Sequence, residues 1–206
     1  MMKKNIISIG RQFGSGGREI GKKLAEDLGI PFYDHELILM ASKESGLRPE
    51  LFEQADEKTS GSMLQALAMG FSLNGAIYQP NDYFTDATLF QLQTDVIRQV
   101  AAEGSCVIVG RCADYILKEE PGLTSVFIHA EEECRKKRIM KDNPMSEKEA
   151  ADIIKKTDKR RANYYSYYTD KTWGVSSSYH LSISSSAAGI EGCVEIIKHF
   201  IHLHSK

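Results

Sequence analysis

Apolar residues follow two spacings along the chain, and the two spacings alternate. Five short apolar runs, at residues 5–9, 30–33, 105–109, 124–130 and 179–183, predict β-strands. Elsewhere apolar residues recur every three or four positions, which predicts helices at residues 18–28, 35–45, 88–102, 131–140, 146–168 and 189–204. Residues 57–86 fit neither spacing and are interpreted as a mobile insertion.

This alternation predicts an α/β fold, in which a parallel sheet of five strands is covered by helices on both faces. Residues 106–109 are apolar throughout, as expected of a strand that is buried on both faces. In such a sheet, ligands bind at the carboxyl ends of the strands. Three stretches with candidate chemistry follow predicted strands, at residues 14–18, 33–34 and 110–111.

Composition and charge narrow the class of protein. The 206 residues, 42% apolar and 26% charged, suit one domain with its own core. The net charge of -2 gives no reason to expect a nucleic acid partner, and no apolar run is long enough to cross a membrane. The four cysteines form no CxxC pair, so we interpret them as free thiols in a reducing cytoplasm.

A glycine-rich turn, Gly14-Ser15-Gly16-Gly17, joins the first predicted strand to the first predicted helix. Glycine lets backbone N–H groups converge, and a helix N-terminus adds positive charge, so a turn of this kind can bind phosphate. The segment therefore predicts a phosphate-binding loop, although its letters differ from the usual pattern.

That usual pattern, the Walker A loop, reads Gly, four residues, then Gly-Lys-Ser/Thr. With Gly16 as the second glycine, the lysine and hydroxyl positions hold Gly17 and Arg18. With Gly17 as the second glycine, they hold Arg18 and Glu19. Arg18 is therefore a candidate to replace the lysine charge, and Arg11 and Lys22 are others.

Two other interpretations of the turn stay open. Gly14-x-Gly16 also begins a dinucleotide-binding loop, and Asp34 lies 20 residues after Gly14, about where a ribose-binding acid is expected. The third glycine position of that pattern, however, holds Glu19. The turn also fits a tight strand-to-helix connection that binds no ligand.

Four segments of the chain carry a further signal. They are residues 7–21 (ISIGRQFGSGGREIG), 29–34 (GIPFYD), 107–115 (VIVGRCADY) and 158–165 (DKRRANYY). In this order, over about 160 residues, they resemble the cytidylate kinase-like family of nucleoside monophosphate kinases. The resemblance implies a P-loop kinase fold, a three-layer α/β/α domain over residues 1–206. It also implies an acceptor-binding, helical insertion region at 35–103 and a helical lid region at 131–175.

The resemblance also implies ATP as the phosphate donor, Mg²⁺, and a nucleoside monophosphate such as CMP or dCMP as the acceptor. The residues implied to hold the donor are Gly14, Ser15, Gly16, Gly17, Arg18, Glu19, Arg138 and Lys159. Those implied to hold the acceptor are Tyr33, Asp34, Gly110, Arg111 and Asp114, with Asp34 or Asp114 orienting the acceptor or the magnesium. Arg18, Arg111 and Arg161 are the expected catalytic residues: Arg18 and Arg161 neutralise the donor phosphates, and Arg111 holds the acceptor.

Residues 135–161 carry 11 Lys/Arg against 5 Asp/Glu. Most of these charges are interpreted as a solvent-facing surface, whereas Arg138 and Arg161 are candidates for phosphate because arginine binds it with a fixed fork of donors. The aromatic run Tyr164–Tyr168, with Trp173, is interpreted as packing on the core or on a second copy, which leaves a homodimer open.

The chain departs from classical family members at three positions. Gly17 stands in place of Lys, Glu19 in place of Thr, and Val109 in place of Asp. Because phosphoryl transfer depends on charge neutralisation, losing one such donor typically costs about 3 kcal/mol. Two other functions therefore stay open: a nucleotide-binding regulator that has lost catalysis, and an NAD(P)-dependent oxidoreductase.

Overall fold

The computed structural model describes residues 4–34 and 86–204. The chain divides into two compact units, residues 1–34 with 97–206, and residues 35–96. Of the second unit the structure describes only the start of one helix. The helix predicted at 35–45 lies outside the described residues, as does all but the last residue of the insertion predicted at 57–86.

The described elements follow the predicted order. They are β1 (Ile6–Arg11), α1 (Gly17–Leu28), β2 (Phe32–Tyr33), α2 (Asp86–Glu103), β3 (Cys106–Val109), α3 (Ala113–Ile116), β4 (Leu123–His129), α4 (Glu132–Asp142), α5 (Glu147–Thr169), a 3₁₀ turn (Ser176–Ser178), β5 (Leu181–Ser184) and α6 (Ser185–His204). All five predicted strands are present. The stretch 146–168, which could be one helix or two, forms the single helix α5.

The strands form one parallel sheet in the order β2-β3-β1-β4-β5. This arrangement confirms the predicted α/β class. In the usual dinucleotide-binding order, 3-2-1-4-5-6, the second strand pairs directly with the first. Here β2 pairs with β3 instead, so the sheet lacks the strand order of the dinucleotide-binding fold.

One face of the sheet forms the main core, because side chains alternate between faces along each strand. Residues of this face with 0% exposure are Ile7, Ile9, Val107, Val109, Val126 and Ile128. They pack with apolar residues of α1 and α6, such as Leu24 and Ile197. Fully burying one such side chain typically contributes about 1.5–3 kcal/mol, so this face dominates the stability of the sheet.

Local signals at the helix ends explain most of the boundaries. Gly29 ends α1 with a left-handed φ of 62°, as a C-cap glycine does. Ser146 and Glu149 form a capping box at the start of α5. The last helix was predicted to begin at Gly189; it begins four residues earlier, at Ser185, and Gly189 instead interrupts it with φ 69° and ψ 179°. Within the described ranges, no helix is long and apolar enough to cross a membrane.

Candidate active site

The turn at residues 12–17, here called the phosphate loop, is held in place by hydrogen bonds to its backbone groups. The Gln12 N–H donates to the Ile128 carbonyl of β4 at 3.0 Å. The Ser15 hydroxyl donates to the Gln12 carbonyl at 2.8 Å, and Ser185 donates its hydroxyl to the Ser15 carbonyl at 2.6 Å. Ser15 is fully buried, so it shapes the loop and does not offer its hydroxyl to a ligand.

The loop leads directly into the N-terminus of α1. Gly16, the N-cap, has a left-handed φ of 80°, and it provides no side-chain cap for the first turn. A Cβ atom at Gly16 would lie 2.6 Å from Ile190 Cδ1 and 3.3 Å from the Arg138 guanidinium carbon, so only glycine fits. The uncapped N–H groups of a helix start are donors for an anion such as phosphate.

Two arginines from α4 and α5 lie against this loop. Arg138 donates to the Gly14 carbonyl at 2.6 Å. Arg161 donates to the Arg11 carbonyl at 3.1 Å, and its guanidinium lies 5.5 Å from the centre of the Phe13 ring. Two positive charges therefore lie against the loop, and that of Arg138 is close to Gly16 at the start of α1.

An ion pair holds α5 against the same loop. Asp158 accepts hydrogen bonds from the Phe13 N–H at 2.7 Å and from the Arg135 guanidinium. Arg135 also donates to the Phe13 carbonyl at 3.4 Å. Nearby, burial lowers the pKa of Arg161 well below the usual value for arginine, and repulsion from the Arg11 guanidinium adds to this effect. Among the described residues at the loop, the arginines Arg11, Arg135, Arg138 and Arg161 outnumber the carboxylates of Asp34 and Asp158, which favours an anion.

Arg18 points away from the centre of the loop. Its Nε donates to Asp34 Oδ2 at 2.7 Å, and its guanidinium lies 5.9 Å from the centre of the Phe32 ring. The Arg18 side chain is 63% exposed. Asp34 is also 3.9 Å from the Arg11 guanidinium. Arg18 therefore contacts the predicted acceptor side, beside Tyr33 at the end of β2, and its contacts do not place it where the donor phosphates were expected.

The second predicted segment, Gly110-Arg111, has an unusual backbone. Three consecutive residues are left-handed, with φ of 81° at Gly110, 60° at Arg111 and 54° at Cys112. For residues other than glycine this conformation costs about 1–2 kcal/mol each. Such local strain is typical of functional sites, and here it follows β3 at the carboxyl edge of the sheet.

Asp114 is placed differently from its predicted role. It is 9% exposed and accepts a hydrogen bond from the Tyr165 hydroxyl at 2.7 Å. Burial raises the pKa of the Asp114 carboxyl, although the Tyr165 hydrogen bond lowers it in part. Asp114 therefore links α3 to α5. Two other predicted residues, Glu19 on α1 and Lys159 on α5, are exposed on their helices.

The structure thus brings Gly14, Gly16, Arg138 and Arg161 together around the loop. The sequence interpretation assigned no role to Gln12, Arg135, Asp158 or Ser185, which position this loop. Asp158 could have been noticed, because it opens the DKRRANYY segment. Nothing in the sequence marks Ser185, because its partner lies 170 residues away.

The residues at the loop do not reproduce the usual magnesium site. The two possible hydroxyl positions hold Arg18 and Glu19, and Val109 stands where an acid precedes Gly110. Among the described residues, no group of three or more His, Cys, Asp or Glu could hold a metal ion. Protein ligands for Mg²⁺ are therefore not evident at this site.

The sheet order, the loop between β1 and α1 and the surrounding arginines define a kinase-like P-loop α/β protein. The family model of the cytidylate kinase-like family matches residues 6–187, and the chain belongs to that family. A crystal structure of an uncharacterised protein from Eubacterium ventriosum is 30% identical, with a TM-score of 0.71 over 97% of this chain and 99% of that one.

More distant structures share the fold. A shikimate kinase from Bacteroides thetaiotaomicron is 15% identical, with a TM-score of 0.53 over 96% of this chain and 98% of that one. A gluconokinase from Sinorhizobium meliloti is 13% identical, with a TM-score of 0.52 over the full length of both chains. No match was found among proteins with curated functions.

Proposed function

We propose that the protein transfers a phosphoryl group from ATP to a nucleoside monophosphate, with CMP or dCMP as the first acceptor to test. The observation that carries the proposal is the clustering of Arg138 and Arg161 on the phosphate loop, which leads into the uncapped start of α1. Catalysis of phosphoryl transfer rests on positioning and on neutralising charge, and this cluster offers both.

In the proposed reaction, a phosphate oxygen of CMP bonds to the γ-phosphorus of ATP. The bond between that phosphorus and the bridging oxygen breaks, and ADP leaves with the bonding electrons. CMP becomes CDP, and no proton has to be removed from an acceptor phosphate that is already ionised.

Each side of the site has a proposed role. The loop residues Gly14 to Gly17 would bind the donor phosphates through their backbone, and Arg138 and Arg161 would contact the phosphate oxygens. On the acceptor side, Tyr33, Asp34, Gly110 and Arg111 lie at the ends of β2 and β3, where they would orient the acceptor. Asp114 would hold α3 in place through Tyr165.

Magnesium is proposed to arrive with ATP, held by the phosphates, because Mg²⁺ binds readily to nucleotide phosphates with few protein ligands. The four free cysteines agree with a reducing compartment, so we place the enzyme in the cytoplasm. A homodimer stays a prediction from the aromatic run; within that run Tyr167 is 80% exposed and Tyr165 is 5% exposed.

The test is an ADP-release assay with ATP, magnesium and a panel of acceptors. The panel holds CMP, dCMP, UMP and AMP, with shikimate and gluconate included because structures with this fold act on hydroxyl acceptors. Turnover with CMP or dCMP is the expected result. Turnover with shikimate or gluconate alone would support the proposed kinase activity and would show that the acceptor is not a nucleoside monophosphate.

A nucleotide-binding regulator is the second candidate, and Gly17 is the observation that favours it, because the usual lysine is missing there. It predicts stabilisation by ATP in a thermal melt, without ADP release for any acceptor. The strand order differs from the dinucleotide-binding order and therefore argues against the oxidoreductase alternative. Stabilisation by NAD and not by ATP would reverse that ranking.

A further inference from the structure

The phosphate loop departs from the Walker pattern at two positions that mirror each other. With Gly16 as the second glycine, the first glycine of the pattern falls on residue 11, which is Arg. The lysine falls on residue 17, which is Gly. Compared with the Walker pattern, position 11 holds a cation in place of glycine, and position 17, six residues later, holds glycine in place of a cation.

The two positions touch in the structure. A Cβ atom at Gly17 would lie 2.5 Å from Arg11 Cβ and 3.0 Å from Arg11 Cγ. Real Cβ atoms do not approach a neighbouring side chain this closely, since cores pack at van der Waals contact. The stem of Arg11 therefore fills the space into which a side chain at position 17 would begin, and the two side chains exclude each other.

The Arg11 guanidinium then extends toward the acceptor segment. A Cβ atom at Gly110 would lie 2.1 Å from Arg11 Nη1, so this glycine also leaves room for the arginine. The same guanidinium is 3.9 Å from Asp34. Arg11 thus runs from the start of α1 to the ends of β2 and β3, between the donor loop and the acceptor segment.

The electrostatics agree with this placement. Arg161 donates to the Arg11 carbonyl, and the nearby Arg11 charge helps lower the pKa of Arg161. The two positive charges repel each other, and a bound anion would relieve that repulsion. Asp34 and Asp158 act in the opposite direction on the pKa of Arg161, and a phosphoryl group bound here would act in the same direction as these carboxylates.

We propose that Arg11 supplies, from the end of β1, the positive charge that a lysine at the start of α1 gives in other P-loop kinases. This assignment rests on the proposed kinase function. Arg11 would contact the oxygens of the phosphoryl group as it passes from the leaving ADP oxygen to the acceptor oxygen. Arg18, which is engaged with Asp34, would not serve this role.

Three variants test the assignment. Arg11→Gln keeps much of the side-chain stem over Gly17 while removing the charge, and kcat should fall about 100-fold or more. The double variant Arg11→Gly, Gly17→Lys removes the Cβ that a side chain at position 17 would meet and returns the cation to its usual place, so it should recover activity to within about tenfold of the wild type. Gly17→Lys alone should lose activity because Arg11 occupies the space. Lys198→Ala, which removes one charge on α6, is the matched control and should leave turnover unchanged.

The outcomes separate the two proposals. An active wild type whose turnover is unaffected by Arg11→Gln overturns the Arg11 assignment and leaves the kinase standing. A folded double variant that stays about 100-fold or more below the wild type overturns it also, and this arm decides the matter if Arg11→Gln does not fold. A wild type that releases no ADP with any acceptor overturns the kinase proposal itself. In that case, Arg11→Gln weakening ATP but not adenosine binding would still support Arg11 as a phosphate contact.

Discussion

Asp158 and Phe13 are joined by a hydrogen bond of 2.7 Å, although 145 positions separate them in the chain. The carboxylate of Asp158 accepts from the backbone N–H of Phe13 and is also paired with Arg135. The Arg135 and Asp158 side chains are only 10% and 17% exposed. One side chain of α5 therefore fixes the phosphate loop and neutralises a buried cation of α4.

Replacing Asp158 with Ala should lower the free energy of unfolding by ~3 kcal/mol, because it leaves the Arg135 charge buried without its partner. The measurement is urea unfolding at pH 7. Asp152→Ala, on the exposed side of the same helix, is the matched control and should change stability by less than about 0.5 kcal/mol. Equal effects of the two substitutions would show that the ion pair contributes nothing specific.

Arg138→Ala should weaken ATP binding about 10- to 100-fold, the range expected for one charge-assisted hydrogen bond. The reason is that its guanidinium lies at the Gly14 carbonyl, beside the donor loop. Titration of ATP by calorimetry gives the affinity. Lys137→Ala removes a neighbouring charge that is exposed on α4, and it should leave ATP affinity nearly unchanged. Similar losses for both would point to a general charge effect.

Asp114→Asn should change how stability depends on pH. The raised pKa of Asp114 means that the folded state holds this proton more tightly than the unfolded state, whose pKa is about 3.9. Stability from this group is therefore fully present below about pH 4 and is lost as pH rises through the folded-state pKa. The Asn variant stays neutral, so its stability relative to the wild type should improve between pH 4 and pH 7. Urea unfolding at both pH values tests this, and a constant difference contradicts it.

Arg111→Gly separates strain from function. Glycine adopts a φ of 60° without the cost paid by Arg111, so this variant should be more stable than Arg111→Ala by up to about 1 kcal/mol. Both variants lose the same charge and, if Arg111 binds the acceptor, both should show a raised KM for it. Thermal melts and acceptor titrations give the two readouts. A less stable glycine variant would mean that the backbone relaxes when Arg111 is removed.

The cysteines should differ in reactivity toward iodoacetamide at pH 8. Burial raises the pKa of Cys106 to about 11 and that of Cys112 to about 12, so little thiolate forms at either. Cys193 is buried as well, whereas Cys134 is partly exposed and should react first. Mass spectrometry of the labelled peptides, with a urea-unfolded sample as control, gives the order. Fast labelling of Cys112 would reveal opening of the left-handed segment that contains it.

The fold could be predicted because parallel strands buried on both faces leave continuous apolar runs, as at Cys106–Val109. The predicted ranges of α1 and α5 match the structure to within one residue at each end, and both helices carry a local end signal, Gly29 after α1 and the Ser146 capping box before α5. The predicted start of α6 at Gly189 was wrong, because this glycine interrupts the helix and does not mark its first residue. Local sequence signals therefore account for the ends of α1 and α5, whereas no such signal marks the start of α6.

The direction of each site side chain was harder to predict. Arg18 meets Asp34 only because β2 lies beside β3 in the sheet, close to the start of α1, and no sequence spacing records that order. Asp114 lies in a motif that implied ligand contact, yet its partner Tyr165 follows 51 residues later and buries it. The motif segments follow β1, β2 and β3 at one edge of the sheet, whereas long-range packing decides which way their side chains face.

Arg11 and a side chain at position 17 cannot occupy the same space, and this limits how the loop can change during evolution. No single replacement converts this loop into one with glycine at position 11 and lysine at position 17. If position 17 changes first, two cations compete for one space; if position 11 changes first, neither position carries a cation. Residues 11 and 17 should therefore vary as a pair among relatives, and a search keyed to the lysine alone would pass over loops whose cation arrives from the strand.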